Sequence, residues 1–329
     1  SGEASEGYTL FTPEKNNSVY LIDNCGEVVN TWEFTELPAL TCYLLENGNL
    51  LRAGKDSLEI RDWDNQLIWS YSTTLNGFPQ HHDIEPLPNG NILVLSKETF
   101  DATGLIAIGR DPNLGAITFV TDVIYELQPI NSNEAQLVWQ WKFSEHFVQE
   151  FDNTKSNYDV VADHPELLDI NFNNAEVSDY THANAIDYDP QLDQILITAR
   201  HLSELLIIDH STTLSEASGH TGGNSGMGGD FIYRWGNPQV YQGGSPSDQK
   251  LHLPHDGKWV NQGFPNAGKL TVFNNQGDGV STNSSVHVIA PEIVANVYQM
   301  NSNKYLPEDY QWSWTGSVLG QTFSESKKC

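Results

Sequence analysis

Basic residues are scarce in this chain. Lysine and arginine together number 16, against 43 aspartate and glutamate residues, so the formal net charge is −27. A surface this acidic repels the phosphates of nucleic acids and the headgroups of anionic lipids. The charge therefore excludes nucleic acid as a partner and is typical of a highly soluble surface.

Long apolar runs are absent as well. The longest ones, such as residues 91–95, have the length of a strand, whereas a membrane-spanning helix needs about 18 consecutive apolar residues. We therefore expect no insertion into a membrane. Apolar residues still make up 38% of the chain, which is enough for a packed core and argues against disorder.

Cysteine is rare too. The three cysteines are Cys25, Cys42 and Cys329, and no CxxC pair occurs. The sequence leaves open whether Cys25 and Cys42 form a disulfide in an oxidising compartment or are buried thiols. Residues 1–6 are polar and lack an initiator methionine, like the mature end left by a signal peptidase. We therefore expect an exported protein.

Helical periodicity is nearly absent, and residues 145–168 are the one region that favours short helices or a long insertion. A different pattern recurs five times: an apolar strand, a polar turn, and a second strand that ends in tryptophan. The five copies end at Trp32, Trp69, Trp141, Trp235 and Trp314, and the last copy begins with a strand at residues 296–300. Most copies follow another hairpin, and the Asn-Gly turns within residues 44–51 and 85–94 are the clearest examples. Two hairpins make four strands, which is one blade of a β-propeller.

The repeat count predicts the fold. We expect an all-β protein with a single β-propeller domain over residues 1–329, of the six-bladed type, with five blades clear. A sixth Asn-Gly hairpin should follow Trp314, but the sequence stops at Cys329. An open ring would leave unpaired strand edges. The sixth blade is therefore expected to be incomplete or missing from this sequence.

Three histidines recur at about the same place in the repeat. His82, His182 and His255 each stand at the start of the first hairpin of a blade. Equivalent positions of different blades face one axis, so these imidazoles are expected to converge at one end of the central channel. Arg200 follows the strand at residues 195–199 and is expected to reach the same place.

This set of side chains suits the transfer of a sulfuryl or phosphoryl group. Histidine can act as nucleophile, acid or base near neutral pH, and the guanidinium fork of arginine matches a tetrahedral oxyanion. Asp83, Asn184 and Asp256 lie beside the histidines and are predicted to bind substrate. Three imidazoles could instead hold Zn²⁺ with these aspartates in support, but we assign no metal and no cofactor. Four further histidines lack the register and are secondary candidates: His81, His201, His210 and His252.

The motifs around these residues resemble those of the bacterial arylsulfate sulfotransferases. The resemblance runs from about Tyr8 to Phe323 and is carried by residues 80–91, 181–188, 207–213, 233–238 and 254–256. It implies a six-bladed propeller, exported to the periplasm or beyond, that moves a sulfuryl group from an aryl sulfate to a phenolic acceptor without a nucleotide donor. The implied partners are these two small molecules, and a homodimer is left open.

The resemblance also implies roles for individual residues. His255 corresponds to the nucleophile that becomes transiently sulfated, His82 and His182 to the other channel histidines, and Arg200 to the channel arginine. The family's extra N-terminal β-domain, its sixth blade and the disulfide near its nucleophile have no counterpart in this sequence. Two alternatives stay open: a non-catalytic ligand-binding or surface propeller, and a polysaccharide lyase or hydrolase that uses histidine and arginine, with or without a metal.

Overall fold

The computed structural model describes residues 6–115, 118–172, 178–277, 283–315, 317–318 and 321–322. Within these ranges strands and turns dominate, and the α-helices are two short ones, Ala102–Ala107 (α1) and Leu214–Ala217 (α2). The predicted all-β class is therefore confirmed. Cys329 and residues 1–5 lie outside the described residues.

The chain forms two compact units. Among the described residues, the first unit takes those within 6–96 and 125–138, and the second takes those within 97–124 and 139–322. The boundary falls inside three strands of one sheet. The prediction of one propeller domain over residues 1–329 is not tested by this division and stays a prediction.

Five sheets of the propeller-blade type follow one another along the chain, and in each of them a strand lies next to the preceding strand of the same sheet. The first has three strands: Tyr8–Phe11 (β1), Ser18–Asp23 (β2) and Val28–Glu33 (β3). The second has four: Pro38–Leu44 (β4), Leu50–Gly54 (β5), Ser57–Arg61 (β6) and Leu67–Ser72 (β7). The third has Gln80–Pro86 (β8), Ile92–Asp101 (β9), Thr118–Pro129 (β10) and Ala135–Lys142 (β11).

The last two blades lie in the second unit. After the parallel pair Phe147–Val148 (β12) and Leu168–Asp169 (β13), the fourth blade has Ala183–Asp189 (β14), Gln194–Ala199 (β15), Glu204–Asp209 (β16) and Phe231–Trp235 (β17). The fifth begins with Pro254–Trp259 (β18), Leu270–Asn274 (β19) and Ser285–Ile289 (β20). Four two-residue strands follow: Ile293–Val294 (β21), Val297–Tyr298 (β22), Met300–Asn301 (β23) and Lys304–Tyr305 (β24). Trp312–Trp314 (β25) then completes the fifth blade, and a last pair is Ser317–Val318 (β26) and Gln321–Thr322 (β27). Five blades are thus found among the described residues, and the predicted six-bladed ring is not confirmed.

One strand of the fifth blade differs from the prediction. The repeat placed the third strand at residues 296–300, whereas the structure places it at Ser285–Ile289, paired with both β19 and β25. Residues 293–298 form a small separate hairpin instead, because Ala295 and Asn296 both have positive φ angles, of 50° and 63°, and turn the chain tightly.

The repeated tryptophans join each blade to the next within its unit. In four blades the indole Nε1 donates to a backbone carbonyl in the connection between the third and fourth strands of the following blade. The pairs are Trp32 to Asp62 at 2.8 Å, Trp69 to Glu134 at 3.0 Å, Trp141 to Gly229 at 2.7 Å and Trp235 to Pro307 at 2.7 Å. These four rings are buried. The repeated tryptophans thus have a packing role, and the N–H of each indole satisfies one backbone carbonyl of the following blade.

The segments between blades carry the helical turns. Within residues 145–168, predicted for short helices, lie the end of the 3₁₀ helix Phe143–His146 and the helix Val161–Asp163. Other 3₁₀ helices are Pro112–Leu114, Pro238–Tyr241 and Pro246–Asp248. Among the described residues, no helix has the length and apolar character to cross a membrane. Cys25 is exposed, Cys42 is buried, and both are thiols that do not bond to each other.

Candidate functional site

The three predicted histidines all lie at the amino end of the first strand of a blade. His82 is the third residue of β8, His255 is the second of β18, and His182 immediately precedes β14. Their register is thus similar but not identical. His82 belongs to the first unit, whereas His182, Arg200 and His255 belong to the second.

A β-bulge interrupts each of these strands beside its histidine. The pairing register shifts between Gln80 and Ile84, between Ala183 and Ala185, and between His255 and Lys258. The backbone is left-handed at His82 (φ 55°), His182 (φ 45°) and Asp256 (φ 50°). This conformation is uncommon outside glycine, and bulges of this kind often re-aim side chains next to active sites.

Buried polar side chains hold two of the bulges in place. Asp122 Oδ2 accepts hydrogen bonds from Thr181 Oγ1 at 2.5 Å and from the Ala183 backbone N at 2.6 Å, so it clamps the residues on either side of His182. Thr198 Oγ1 accepts from the Gly257 backbone N at 2.9 Å, two residues after His255. These contacts support the left-handed backbone that would otherwise be strained.

His182 is oriented by a carboxylate. Its Nδ1 lies 2.6 Å from Asp179 Oδ2. Burial acts to raise the pKa of Asp179, but the hydrogen bond from His182 and the positive charges of His182 and Lys97 outweigh it and lower that pKa to about 2. Asp179 is therefore ionised near neutral pH and accepts the proton of Nδ1, which leaves Nε2 of His182 as the nitrogen that faces its surroundings.

Arg200 is held beside His182 through His201. The Arg200 backbone N donates to the His182 carbonyl at 3.1 Å, and Arg200 Nη1 donates to His201 Nε2 at 2.6 Å. His201 Nδ1 in turn donates to the Asp179 carbonyl at 2.5 Å. Burial lowers the pKa of His201, and the charges of His182 and Arg200 lower it further. A neutral His201 with its proton on Nδ1 fits both contacts, and its ring lies 4.3 Å from that of His182.

His255 makes two alternative contacts through Nδ1. The Leu253 carbonyl lies 3.1 Å away and Asn275 Nδ2 lies 3.0 Å away. A ring nitrogen either donates or accepts, so the two contacts belong to different tautomers. Donation to Leu253 leaves the lone pair on Nε2, which is the form that a nucleophile requires.

Asn184 connects the strands that carry His182 and His255. It is buried, and its Nδ2 donates to the Pro254 carbonyl at 2.9 Å, next to His255. Asn184 is the second residue of β14 and Pro254 the first of β18, so this hydrogen bond places the amino ends of the two strands, and with them the two histidines, at the same end of the pair. Asn184 was predicted to bind substrate, and the structure places it as a tie between strands.

The two predicted aspartates have different surroundings. Asp83 is fully buried, and its Oδ1 accepts from the Ile84 backbone N at 3.0 Å and from Tyr43 Oη at 3.3 Å. The Asp83 side chain is therefore enclosed between strands of the first unit. Asp256 is half-buried beside His255, and its Oδ1 is buried without a hydrogen-bond partner among the described residues. The assignment of both aspartates to substrate binding stays a prediction.

His82 has its own histidine partner. His81 Nε2 lies 3.2 Å from the Ser96 carbonyl and must carry a proton to donate to it. His81 Nδ1 is then an acceptor, and His82 Nδ1, 2.8 Å away, donates to it. The lone pair of neutral His82 is therefore on Nε2.

The cluster around Arg200 suits an anion better than a metal ion. Single ligand atoms of Asp179, His182 and His201 lie within 4.8 Å of one another, a spacing that a metal could use. However, both ring nitrogens of His201 are already engaged, one by the Arg200 guanidinium, and a fixed positive charge at this distance opposes a cation. Sequence reasoning missed the roles of Asp179, His201 and Asn275. Their signals were proximity alone: three residues before His182, directly after Arg200, and just past β19.

Comparison with known proteins gives a family. The family model described as "Arylsulfotransferase (ASST)" matches residues 4–304. No curated protein sequence matches the chain.

Several solved structures have low similarity to this chain. A Bacteroides caccae protein of unknown function is 11% identical, with 92% of this chain and 72% of that chain covered and a TM-score of 0.43. Kuenenia stuttgartiensis hydrazine synthase is 13% identical, with 86% and 67% covered and a TM-score of 0.45. The β-propeller domain of Myceliophteria thermophila Cps50 (Swd1) is 11% identical, with 95% and 73% covered and a TM-score of 0.44. Likenesses at this level assign no activity.

Proposed function

The chain belongs to the arylsulfotransferase family, and from this premise we propose that it moves a sulfuryl group from an aryl sulfate to a phenolic acceptor through a sulfated His255. The observation that carries the proposal is the hydrogen-bonded chain from Arg200 through His201 to Asp179 and on to His182. It fixes a guanidinium and an imidazole of defined tautomer side by side. Such a pair suits an oxyanion and a proton transfer.

In the first half-reaction the aryl sulfate reacts with His255. Arg200 neutralises sulfate oxygens as charge shifts in the transition state. His255 Nε2 attacks sulfur, the S–N bond forms, and the bond from sulfur to the aryl oxygen breaks. The leaving phenolate takes the Nε2 proton of a doubly protonated His182, whose Nδ1–H Asp179 holds in position.

In the second half-reaction the acceptor reverses this path. The phenol gives its proton to His182, its oxygen attacks sulfur, and the S–N bond to His255 breaks. Two half-reactions that share a covalent intermediate give ping-pong kinetics. His82 stays a predicted member of the catalytic set, on the strength of the resemblance.

The test is intact-mass measurement of the protein after mixing with p-nitrophenyl sulfate. The wild type should gain one sulfuryl group without an acceptor and lose it when phenol is added. The variant His255→Ala should show no adduct, and the control His210→Ala, which replaces a histidine paired with Asp193, should behave as the wild type.

Intact mass, together with the absorbance of released p-nitrophenol measured with and without chelator, separates the alternatives. A non-catalytic propeller releases no p-nitrophenol under any of these conditions. A metal-dependent hydrolase or lyase forms no adduct and loses its activity in chelator. Either result would overturn the sulfohistidine proposal.

We also propose that the protein acts in the periplasm or outside the cell, as the resemblance implies. The support for this proposal is the family match over residues 4–304. Expression from the complete gene followed by fractionation tests the proposal, and recovery of the protein only from the cytoplasm would contradict it.

A further inference from the structure

A second group of ligand-type side chains lies in the second unit, apart from the residues around Arg200. His146 Nδ1 is 2.7 Å from Asp230 Oδ1, and His220 Nδ1 is 2.8 Å from the same oxygen. One ligand atom of each residue lies within 4.8 Å of the others. His146 and Asp230 are buried, while the His220 side chain is 59% exposed. The proposed sulfuryl transfer uses none of the three.

His146 is held rigidly by its neighbours. It ends the 3₁₀ helix that follows β11, and its ring stacks on Trp141 with 5.4 Å between centroids and 9° between planes. The backbone of Gly229 passes directly against this ring, and a Cβ at that position would collide with His146 and with the Ala217 carbonyl. The close approach thus requires glycine, and it fixes where the imidazole points.

The hydrogen bonds of His146 leave one contact that needs a positive charge. His146 Nε2 lies 3.0 Å from the Ala217 carbonyl and must carry a proton to donate to it. In the neutral imidazole, Nδ1 then holds a lone pair, and this lone pair faces a carboxylate oxygen of Asp230 at 2.7 Å. Two acceptors at this distance require either a proton between them, carried by His146 or by Asp230, or a metal ion.

We propose that His146, His220 and Asp230 bind a divalent transition-metal ion of the Zn²⁺ type. Two imidazole nitrogens and one carboxylate oxygen are ligands that Zn²⁺ accepts, and three protein ligands leave a fourth position for water or a ligand. Metal-binding histidines almost always donate their other N–H to a carbonyl or carboxylate, as His146 donates to Ala217.

The geometry can accommodate the ion with a small movement. Tetrahedral ligands at bond lengths of about 2.0–2.1 Å lie roughly 3.3 Å apart, so the nitrogen–oxygen distances must open by about 0.6 Å. His220 is exposed and can move away from Asp230, which opens the 2.8 Å distance between them. Because His146 is fixed, its 2.7 Å distance to Asp230 must open through rotation of the Asp230 carboxylate. His220 stands in the glycine-rich segment 219–229, which is closed by a hydrogen bond from the Gly229 N to the Gly219 carbonyl at 3.0 Å.

A cavity gives the ion a path from solvent. His220 lines a cavity of about 550 Å³ together with Glu145 and His164. Glu145 Oε2 is buried and accepts no hydrogen bond from a described residue. Because His220 lines this cavity, a water bound at the fourth position of the ion would lie beside it.

The experiment is a calorimetric titration of the full chain with ZnCl₂, paired with Co²⁺ absorption to report coordination geometry. The wild type should bind one ion at this cluster, and His220→Gln should weaken that binding at least tenfold. His220 is exposed, so its replacement leaves the core unchanged. The control His210→Gln replaces a histidine that pairs with Asp193 at 2.7 Å but belongs to no three-ligand cluster among the described residues.

A second variant separates this cluster from the one at Asp179. His182→Gln should leave the affinity for Zn²⁺ unchanged if the ion binds at Asp230. Absence of saturable binding by the wild type, or equal binding by the wild type and His220→Gln, would overturn the proposal. Neither outcome depends on sulfuryl transfer.

Discussion

His201 joins Arg200 to Asp179: its Nε2 accepts from Arg200 Nη1 at 2.6 Å while its Nδ1 donates to the Asp179 carbonyl at 2.5 Å. Only the neutral tautomer with the proton on Nδ1 satisfies both contacts. The burial and the nearby positive charges that lower the pKa of His201 favour this form. His201 is therefore a positioning residue that sets the direction of the guanidinium.

The first prediction tests this role. His201→Leu removes the acceptor, lets the guanidinium move, and should lower kcat/KM for an aryl sulfate by about 10²-fold, the cost of a misplacement of about 1 Å. His201→Gln offers an amide oxygen to Arg200 and should recover most of the activity. Steady-state kinetics of both variants checks this, and equal losses would show that the role of His201 is merely structural.

The second prediction concerns the tryptophans between blades. Trp235→Phe keeps an aromatic ring at this position but leaves the Pro307 carbonyl without the indole donor. The cost should be about 1–3 kcal/mol in the free energy of unfolding. Trp312 is 50% exposed, and Trp312→Phe should change stability by less than about 0.5 kcal/mol. Urea unfolding of the two variants compares them, and equal stabilities would contradict the packing role.

The third prediction is a pH dependence of stability that arises from His287. Burial lowers the pKa of this histidine to about 4, from about 6.5 when it is exposed. Between these values the unfolded state binds a proton that the folded state does not. The contribution of His287 to the free energy of unfolding should therefore be fully present above pH 6.5. It should be lost as the pH drops to 4, by ~3 kcal/mol in total.

Urea unfolding between pH 7 and pH 5 measures this effect. His287→Gln removes the titrating group and should flatten the dependence by up to about 1.4 kcal/mol per pH unit. The same slope in the variant and the wild type would show that another group is responsible.

The blades were predictable from the sequence because alternation and Asn-Gly turns are local signals. The last blade shows the limit: residues 285–289, with two valines and an isoleucine, and residues 296–300, with Val297 and Tyr298, both read as strands. Only the pairing of β20 with β19 and β25 decides between them.

The site was partly predictable for the same reason. His182, Arg200 and His255 stand in the repeat and could be found from it. The orientation of Asp179 depends on the backbone of residues 178–180, which pairs with Val120 about sixty residues earlier. Such long-range pairing leaves no local pattern, so the partner of His182 could not be inferred from spacing.

The last prediction concerns the shape of the cation in the anion site. Arg200→Lys keeps the positive charge, but a single ammonium cannot both donate to His201 Nε2 and hold two sulfate oxygens with a planar fork. Because Arg200 is half-buried at the end of a strand, the variant should fold normally. We expect kcat/KM to fall by at least about 10²-fold, the usual loss when one oxyanion donor is removed. As a control, Arg61→Lys alters an arginine paired with Glu59 at 2.6 Å and should keep wild-type turnover. Arg200→Lys with near-normal kinetics would mean that charge alone suffices, and the guanidinium would then have no role in binding the sulfate.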